Sequence, residues 1–193
     1  MTEHTVVLIK PDGVKRGLVG EILSRFEKVG LKIVAAKMAW VDQDLVGKHY
    51  KDDEDYHRSV GVKTLENYQK YGLDASETLG TLDPVEVGRM VRKWNMGYLS
   101  SGPVVAIVLE AHDAVSLVRK MTGHTFPQNA QPGTIRGDLA HEAPLTANIK
   151  KRSTMNLIHA SGSVEEAKFE EELWFRENEI HSYKRLEELL SEI

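Results

Sequence analysis

Cysteine is missing from all 193 residues. Its absence removes disulfides, thiolate metal sites and cysteine nucleophiles together, and suits a reducing interior. No apolar stretch is long enough to cross a bilayer, and no basic leader precedes the first strand pattern. Neither a membrane span nor a signal peptide is expected, and a cytoplasmic location is. Positive charge is also in short supply: the formal net charge is −4 and the pI near 6.1. That balance argues against a broad basic face for nucleic acid or an anionic membrane, so any phosphate ligand has to be met by a local cluster of cations. The common nucleotide cradles are absent as well, with no G-x-x-x-x-G-K-[ST], no protein-kinase signature and no G-x-G-x-x-G.

What is present reads as one globular domain over residues 1–193, with 41% apolar and 28% charged residues and neither low-complexity tract nor repeat. Thr5 to Lys10 is β-branched and apolar and is stopped by Pro11-Asp12-Gly13, which predicts a buried strand with Lys10 at its end. Leu18, Val19, Ile22, Leu23, Phe26 and Val29 recur at helical spacing and Gly30 closes the pattern. A strand over Leu31 to Val41 follows.

Residues 42–100 show only helical stretches around Leu45–Tyr50 and Val85–Trp94, separated by loops and an acidic run at Asp52–Asp55. Gly102 to Ala111 predicts a third strand, Asp113 to Met121 a helix capped by its leading acid, and Met155 to Ala160 a fourth strand after a long loop. Ser163-Val164-Glu165-Glu166 has the form of a capping box and opens a helix to about Arg176; a last helix is expected over Tyr183 to Leu190. This order of elements suits an α+β split βαβ sandwich of four strands in two main layers.

His159 closes the Asn156-Leu157-Ile158-His159 strand directly before the capped helix. Free N–H groups at a helix start favour anions, so an imidazole there is placed to meet phosphate. It accepts a phosphoryl group when one ring nitrogen is unprotonated and the other is held by an acceptor. Glu170 lies three residues after Ala167 and four before Trp174, which puts a carboxylate in the apolar stripe of that helix, where it needs a polar partner. Taken alone, a histidine at a strand end is more often structural than catalytic.

Four separated blocks carry a family resemblance: Val7-Leu8-Ile9-Lys10-Pro11-Asp12-Gly13-Val14 through Phe26-Glu27, Ser101-Gly102-Pro103-Val104-Val105, Pro132-Gly133-Thr134-Ile135-Arg136-Gly137-Asp138, and Asn156 to His159. In this order they resemble nucleoside diphosphate kinase. The resemblance implies a ferredoxin-like α+β sandwich with a four-stranded antiparallel sheet, assembled as a homo-oligomer (hexamer or tetramer). It also implies ping-pong transfer of the γ-phosphoryl group of ATP or another triphosphate to a diphosphate. By the same resemblance His159 is the phosphorylated nucleophile, Glu170 the carboxylate on its far ring nitrogen, and Ser161 their orienting neighbour. Lys10, Arg119, Arg136 and Thr125 bind the phosphates, Tyr50 stands beside the phosphate end and Asn156 meets the ribose. Mg2+ is held through the nucleotide phosphates, without protein ligands.

The chain departs from the family pattern in three places. The family usually reads His-Gly-Ser-Asp-Ser where this chain has His159-Ala160-Ser161-Gly162-Ser163, which deletes an acid beside the helix start. Insertions are expected at about 51–95 and about 141–153. The phenylalanine that stacks on the base has no clear counterpart, leaving Trp94, Tyr56 or Tyr98 as substitutes. Lys150-Lys151-Arg152 in the second insertion reads as a solvated basic loop. A catalytically silent nucleotide-binding module of the same fold stays open as the alternative.

Overall fold

The computed structural model describes residues 2–186. Its centre is an antiparallel sheet of β1 (Thr2–Ile9), β2 (Lys32–Ala39), β3 (Val104–His112) and β4 (Ile158–Ala160), in the order β2-β3-β1-β4. Between them run α1 (Pro11–Lys15), α2 (Val19–Lys28), α3 (Gln43–His49), α4 (Glu54–Lys70), α5 (Ala75–Leu79), α6 (Pro84–Leu99), α7 (Ala114–Thr122), α8 (Ile135–Leu139) and α9 (Pro144–Ile149), and α10 (Val164–Trp174) follows β4. Short 3-10 turns occupy Pro127–Asn129 and Glu177–Glu179.

The central strand β1 is an unbroken apolar run because both of its faces are covered. Val7 and Ile9 pack with Ile22 and Phe26 of α2 and Val118 of α7. Val6 and Leu8 pack on the opposite face with Val46 of α3, Leu99 of α6 and Trp174 of α10. Two layers are therefore one too few: the helices between β2 and β3, together with α10, close the second face.

Several expected elements shift for identifiable reasons. The turn after β1 is a single helical turn, with Pro11 at its first position, where the missing N–H costs nothing. Asp113 stands at the start of α7 but in the left-handed region, and its side chain caps nothing. The carboxylate of Glu3 instead accepts the Val115 N–H at 3.0 Å. The fourth strand is three residues rather than six because Leu157 has a φ of 67°, which breaks the extended run. Ser163 accepts the Glu166 N–H at 3.1 Å as expected, while Glu166 reaches back to the Gly162 N–H rather than to that of Ser163. The last helix was placed over Tyr183 to Leu190; Tyr183 to Arg185 are not helical, and 187–190 lie outside the described residues.

The long helix α4 carries no strong apolar stripe, and packing on α6 holds it in place. Their backbones meet at two glycines: a Cβ on Gly61 would lie 1.8 Å from the Pro84 carbonyl oxygen, and one on Gly88 1.9 Å from that of His57. Gly61→Ala is expected to force the pair apart and to cost roughly 3 kcal/mol. Urea unfolding of the variant beside the wild type measures it, and an unchanged midpoint would contradict the contact.

Candidate active site

The site begins with the backbone that carries His159. Its strand β4 is short and lies at the sheet edge, so it is fixed from outside the sheet. Leu157 is pinned on both sides: its carbonyl accepts the Lys10 N–H at 2.8 Å, and its N–H reaches the Asp12 carboxylate at 3.2 Å. The other oxygen of Asp12 accepts the Tyr98 hydroxyl. A left-handed non-glycine residue costs on the order of 1–3 kcal/mol and persists only where its surroundings impose it. Arg136, itself buried, donates from Nε to Asn156 O at 3.1 Å, from Nη1 to Gly123 O at 2.7 Å and from Nη2 to Ile158 O. One guanidinium thus clamps the start of the strand that carries His159 to the loop after α7.

Behind His159 lies a buried polar chain. His159 Nε2 stands 2.6 Å from Glu170 Oε1, and the Ser161 hydroxyl donates to Glu170 Oε2 at 2.6 Å while accepting the Val6 N–H at 3.1 Å. Glu170 is 1% exposed. The His159 side chain keeps 20% of its surface, and its Nδ1 has no hydrogen-bond partner among the described residues. Burial first, then the Lys10 cation, push the imidazole down to about 3, so the ring is neutral at pH 7. Burial pushes the Glu170 carboxyl upward, opposed by His49 and by the Ser161 hydroxyl. The tautomer that satisfies both groups has Nε2–H donating to the carboxylate and a lone pair on Nδ1.

In front of His159 opens a cavity of about 460 Å3. Lys10, Tyr50, Arg119, Thr125, Arg136, Asn156 and His159 all line it, so these residues, separated in the sequence, face one space. Lys10 Nζ donates to Asn156 Oδ1 at 2.7 Å, and Asn156 Nδ2 donates to the Thr125 carbonyl at 2.9 Å. Burial, followed by repulsion from Arg136, brings Lys10 from 10.5 down to about 7. Arg119 is exposed at the mouth, with Nη1 3.5 Å from the Ala160 carbonyl. Burial, then Arg119, lower Arg136 to about 10, still charged at pH 7.

Of the aromatic candidates, only Tyr56 lines the cavity. Trp94 packs on the cluster of Tyr68, Ala75, Leu79 and Val87, and Tyr98 is committed to Asp12. Phe126 lines the cavity and was missed. So was His49, whose ring meets that of His159 edge-on at 4.6 Å and whose Nδ1 lies 3.5 Å from Glu170 Oε1. Its position beside Tyr50 at the end of a helical stretch was the available signal. None of Lys150, Lys151 and Arg152 lines the cavity, and Arg152 pairs with Glu142 at 2.8 Å.

His49, His159 and Glu170 bring three possible ligand atoms within 4.8 Å of one another. Two imidazoles and a carboxylate already in hydrogen bonds do not suit Mg2+, which prefers oxygen and water. Among the described residues the cavity lining holds a single acid, Glu166, so they offer no cage for a resident cation and fit one that arrives on nucleotide phosphates.

The family model described as nucleoside diphosphate kinase matches residues 3–61 and 85–180. The chain belongs to the nucleoside diphosphate kinase family. A nucleoside diphosphate kinase of Pyrobaculum aerophilum is 48% identical over 178 residues, 92% of this chain and 97% of that one. A crystal structure of an NDP kinase from the same organism superposes with a TM-score of 0.92 at 46% identity, covering 94% of this chain and 100% of the other. The structure of the Borrelia burgdorferi nucleoside-diphosphate kinase, a transition-state mimic with bound vanadate and ADP, gives a TM-score of 0.78 at 36% identity, covering 98% of this chain and 96% of the other. This nucleoside diphosphate kinase is thus a phosphotransferase acting on nucleotides, a reaction compatible with a divalent metal. No described helix is long and apolar enough to cross a membrane.

Proposed function

We propose that this kinase works by a ping-pong mechanism through a phosphohistidine on Nδ1 of His159. The observation that carries the reading is the imidazole held at Nε2 by Glu170 and open at Nδ1 toward a cavity lined by Lys10, Arg119 and Arg136. The Nδ1 lone pair attacks the γ-phosphorus, the bond from that phosphorus to the bridging oxygen breaks, and its electron pair leaves on the diphosphate. The reverse step passes the phosphoryl group to a second diphosphate in the same place.

Little covalent chemistry is left to the protein beyond this, since phosphoryl transfer has a loose transition state and is driven by positioning and charge. Glu170, oriented by Ser161, fixes the ring. Lys10 and the two arginines spread the negative charge over the phosphate oxygens, with the Thr125 hydroxyl and Tyr50 at the edge. Asn156 serves the ribose through the amide that already holds Lys10. Magnesium enters as part of the substrate, on the phosphates. Tyr56 and Phe126 flank the base, and the segments about 51–95 and about 141–153 are insertions that shape that end.

A homo-oligomer, hexamer or tetramer, is supported by Met38 and Trp40, which stand 63% and 72% exposed at the edge strand β2 and just beyond its end. Incubation with γ-labelled ATP, followed by a different diphosphate, tests the chemistry. Acid-labile label on the protein that moves to the second nucleotide supports it. Binding of nucleotide with no label supports the silent module.

Lys10 gives the reaction its pH dependence. With its charged form favoured only below about 7 in the empty site, kcat/KM should fall as pH rises above about 7. Bound phosphate restores the charge, so kcat should hold to higher pH. Lys10→Arg should remove the alkaline limb of kcat/KM, and a limb unmoved in that variant would assign it elsewhere. For stability the sign is opposite: between about 7 and 10.5 the unfolded chain holds the extra proton, so this group favours folding more as pH rises.

A further inference from the structure

Glu170 holds the His159 ring at a single atom, Nε2, and β4 holds it through Cβ. A ring fixed at those two points can still turn about the line that joins them, and the turn swings Nδ1 out of its direction. A third contact is needed to set the plane. The His49 ring supplies it, standing at 82° to that of His159 with the centroids 4.6 Å apart. His49 is itself held fast: it is buried at the last position of α3, between Tyr50 at 4.9 Å and Trp174 at 5.7 Å, centroid to centroid. The Trp174 indole, which can only donate, gives its N–H to His49 Nδ1 at 3.4 Å. That nitrogen therefore accepts, and although it lies 3.5 Å from Glu170 Oε1 it does not donate there. Burial brings His49 down to about 3, so it is neutral at pH 7 and no second cation competes with His159 for the carboxylate. Glu170 and Trp174 stand one turn apart on α10, so one helix face carries both the anchor of the nucleophile and the anchor of the ring packed against it.

We propose that His49 is a positioning residue for phosphoryl transfer: it fixes the plane of the His159 ring and with it the direction of the Nδ1 lone pair. This rests on the phosphohistidine reading above. His49 does not line the cavity and touches neither nucleotide nor phosphorus. Its effect falls on the approach of Nδ1 to the γ-phosphorus, where a small misplacement is costly, and leaves Lys10, Arg119 and Arg136 to bind the phosphates as before. Because packing supplies the constraint, a flat ring without nitrogen can replace the imidazole in this role, but it cannot accept the Trp174 N–H. Rate and stability are thereby separable.

Quenched-flow mixing of the full-length enzyme with saturating γ-labelled ATP reads the rate of phosphoenzyme formation, and calorimetry with ADP reads binding. His49→Ala should slow phosphoenzyme formation by about a hundredfold and leave ADP affinity within about threefold. His49→Phe should stay within about fivefold of the wild-type rate, although its Tm falls because the Trp174 N–H loses its acceptor. His49→Leu fills the space without a flat ring and should be as slow as the alanine variant, which preserves the comparison if that variant does not fold. Wild-type enzyme that takes no label on His159 removes the reading and the inference together. Labelled wild type with H49A and H49L at the wild-type rate, H49F as slow as H49L, or rates that follow Tm across the variants overturns the inference alone.

Discussion

His159→Ala is expected to lower phosphoryl transfer by at least ~10^4-fold and to abolish labelling by triphosphate, since in the proposed mechanism His159 carries the covalent intermediate. The alternatives are few. Cysteine is absent from the chain, and the other histidines near the cavity are poorly placed. His49 is buried, with its ring edge against His159 and Trp174. His124 is exposed and uses Nδ1 to accept the Phe126 N–H at 3.0 Å. The fold should survive the change, because the lost ring lies at the cavity wall and Glu170 keeps the Ser161 hydroxyl at 2.6 Å. Nucleotide affinity should stay of the same order, as Lys10, Arg119 and Arg136 remain. Stopped-flow mixing with labelled ATP reads the chemistry and calorimetry with ADP reads the binding. Residual transfer above a hundredth of the wild-type rate would place the nucleophile elsewhere.

Arg136→Ala should fail in two ways at once. As a cation on the cavity wall, its loss should reduce kcat/KM by about 10^2–10^3-fold, the range for removing one donor to a developing anion. As a clamp, it leaves the carbonyls of Gly123, Asn156 and Ile158 without their partner, which should cost about 2–4 kcal/mol of stability. Arg136→Lys should recover part of the charge and little of the clamp, because an ammonium cannot spread three bonds in one plane. Urea denaturation and steady-state kinetics on the two variants separate the effects. If the alanine variant unfolds at the wild-type midpoint, the clamp is not holding the nucleophile strand. The contrast with Arg119 follows from burial: Arg119 lies exposed at the mouth, so its removal should weaken transfer and leave the midpoint alone.

The parts of the molecule that were legible in the sequence are those with a single local cause. β1 and β3 read as strands because their apolar runs are continuous, and they are continuous because the sheet is covered on both faces. Glu170 stood out because a carboxylate in an apolar helix stripe demands a partner, and it is bonded to His159 and Ser161. The region from 42 to 100 was opaque for the converse reason. α4 gains its place from a backbone-to-backbone approach at Gly61 and Gly88, which leaves no periodic signature. The fourth strand was overdrawn because nothing in Met155-Asn156-Leu157 announces a left-handed residue imposed by Asp12 and Lys10 from the far end of the chain. Glu166 was visible only as half of a capping box. Its place in the cavity depends on a glycine four residues earlier, and the two facts connect only in three dimensions.

The mechanism stands or falls on which atom carries the phosphoryl group. Phosphorus-31 NMR of the protein trapped after triphosphate, correlated to the imidazole protons, locates the bond. The account predicts one acid-labile phosphohistidine, at His159, with phosphorus on Nδ1 and a proton retained on Nε2 against Glu170. Phosphorus on Nε2, on another residue, or on no residue at all would contradict it.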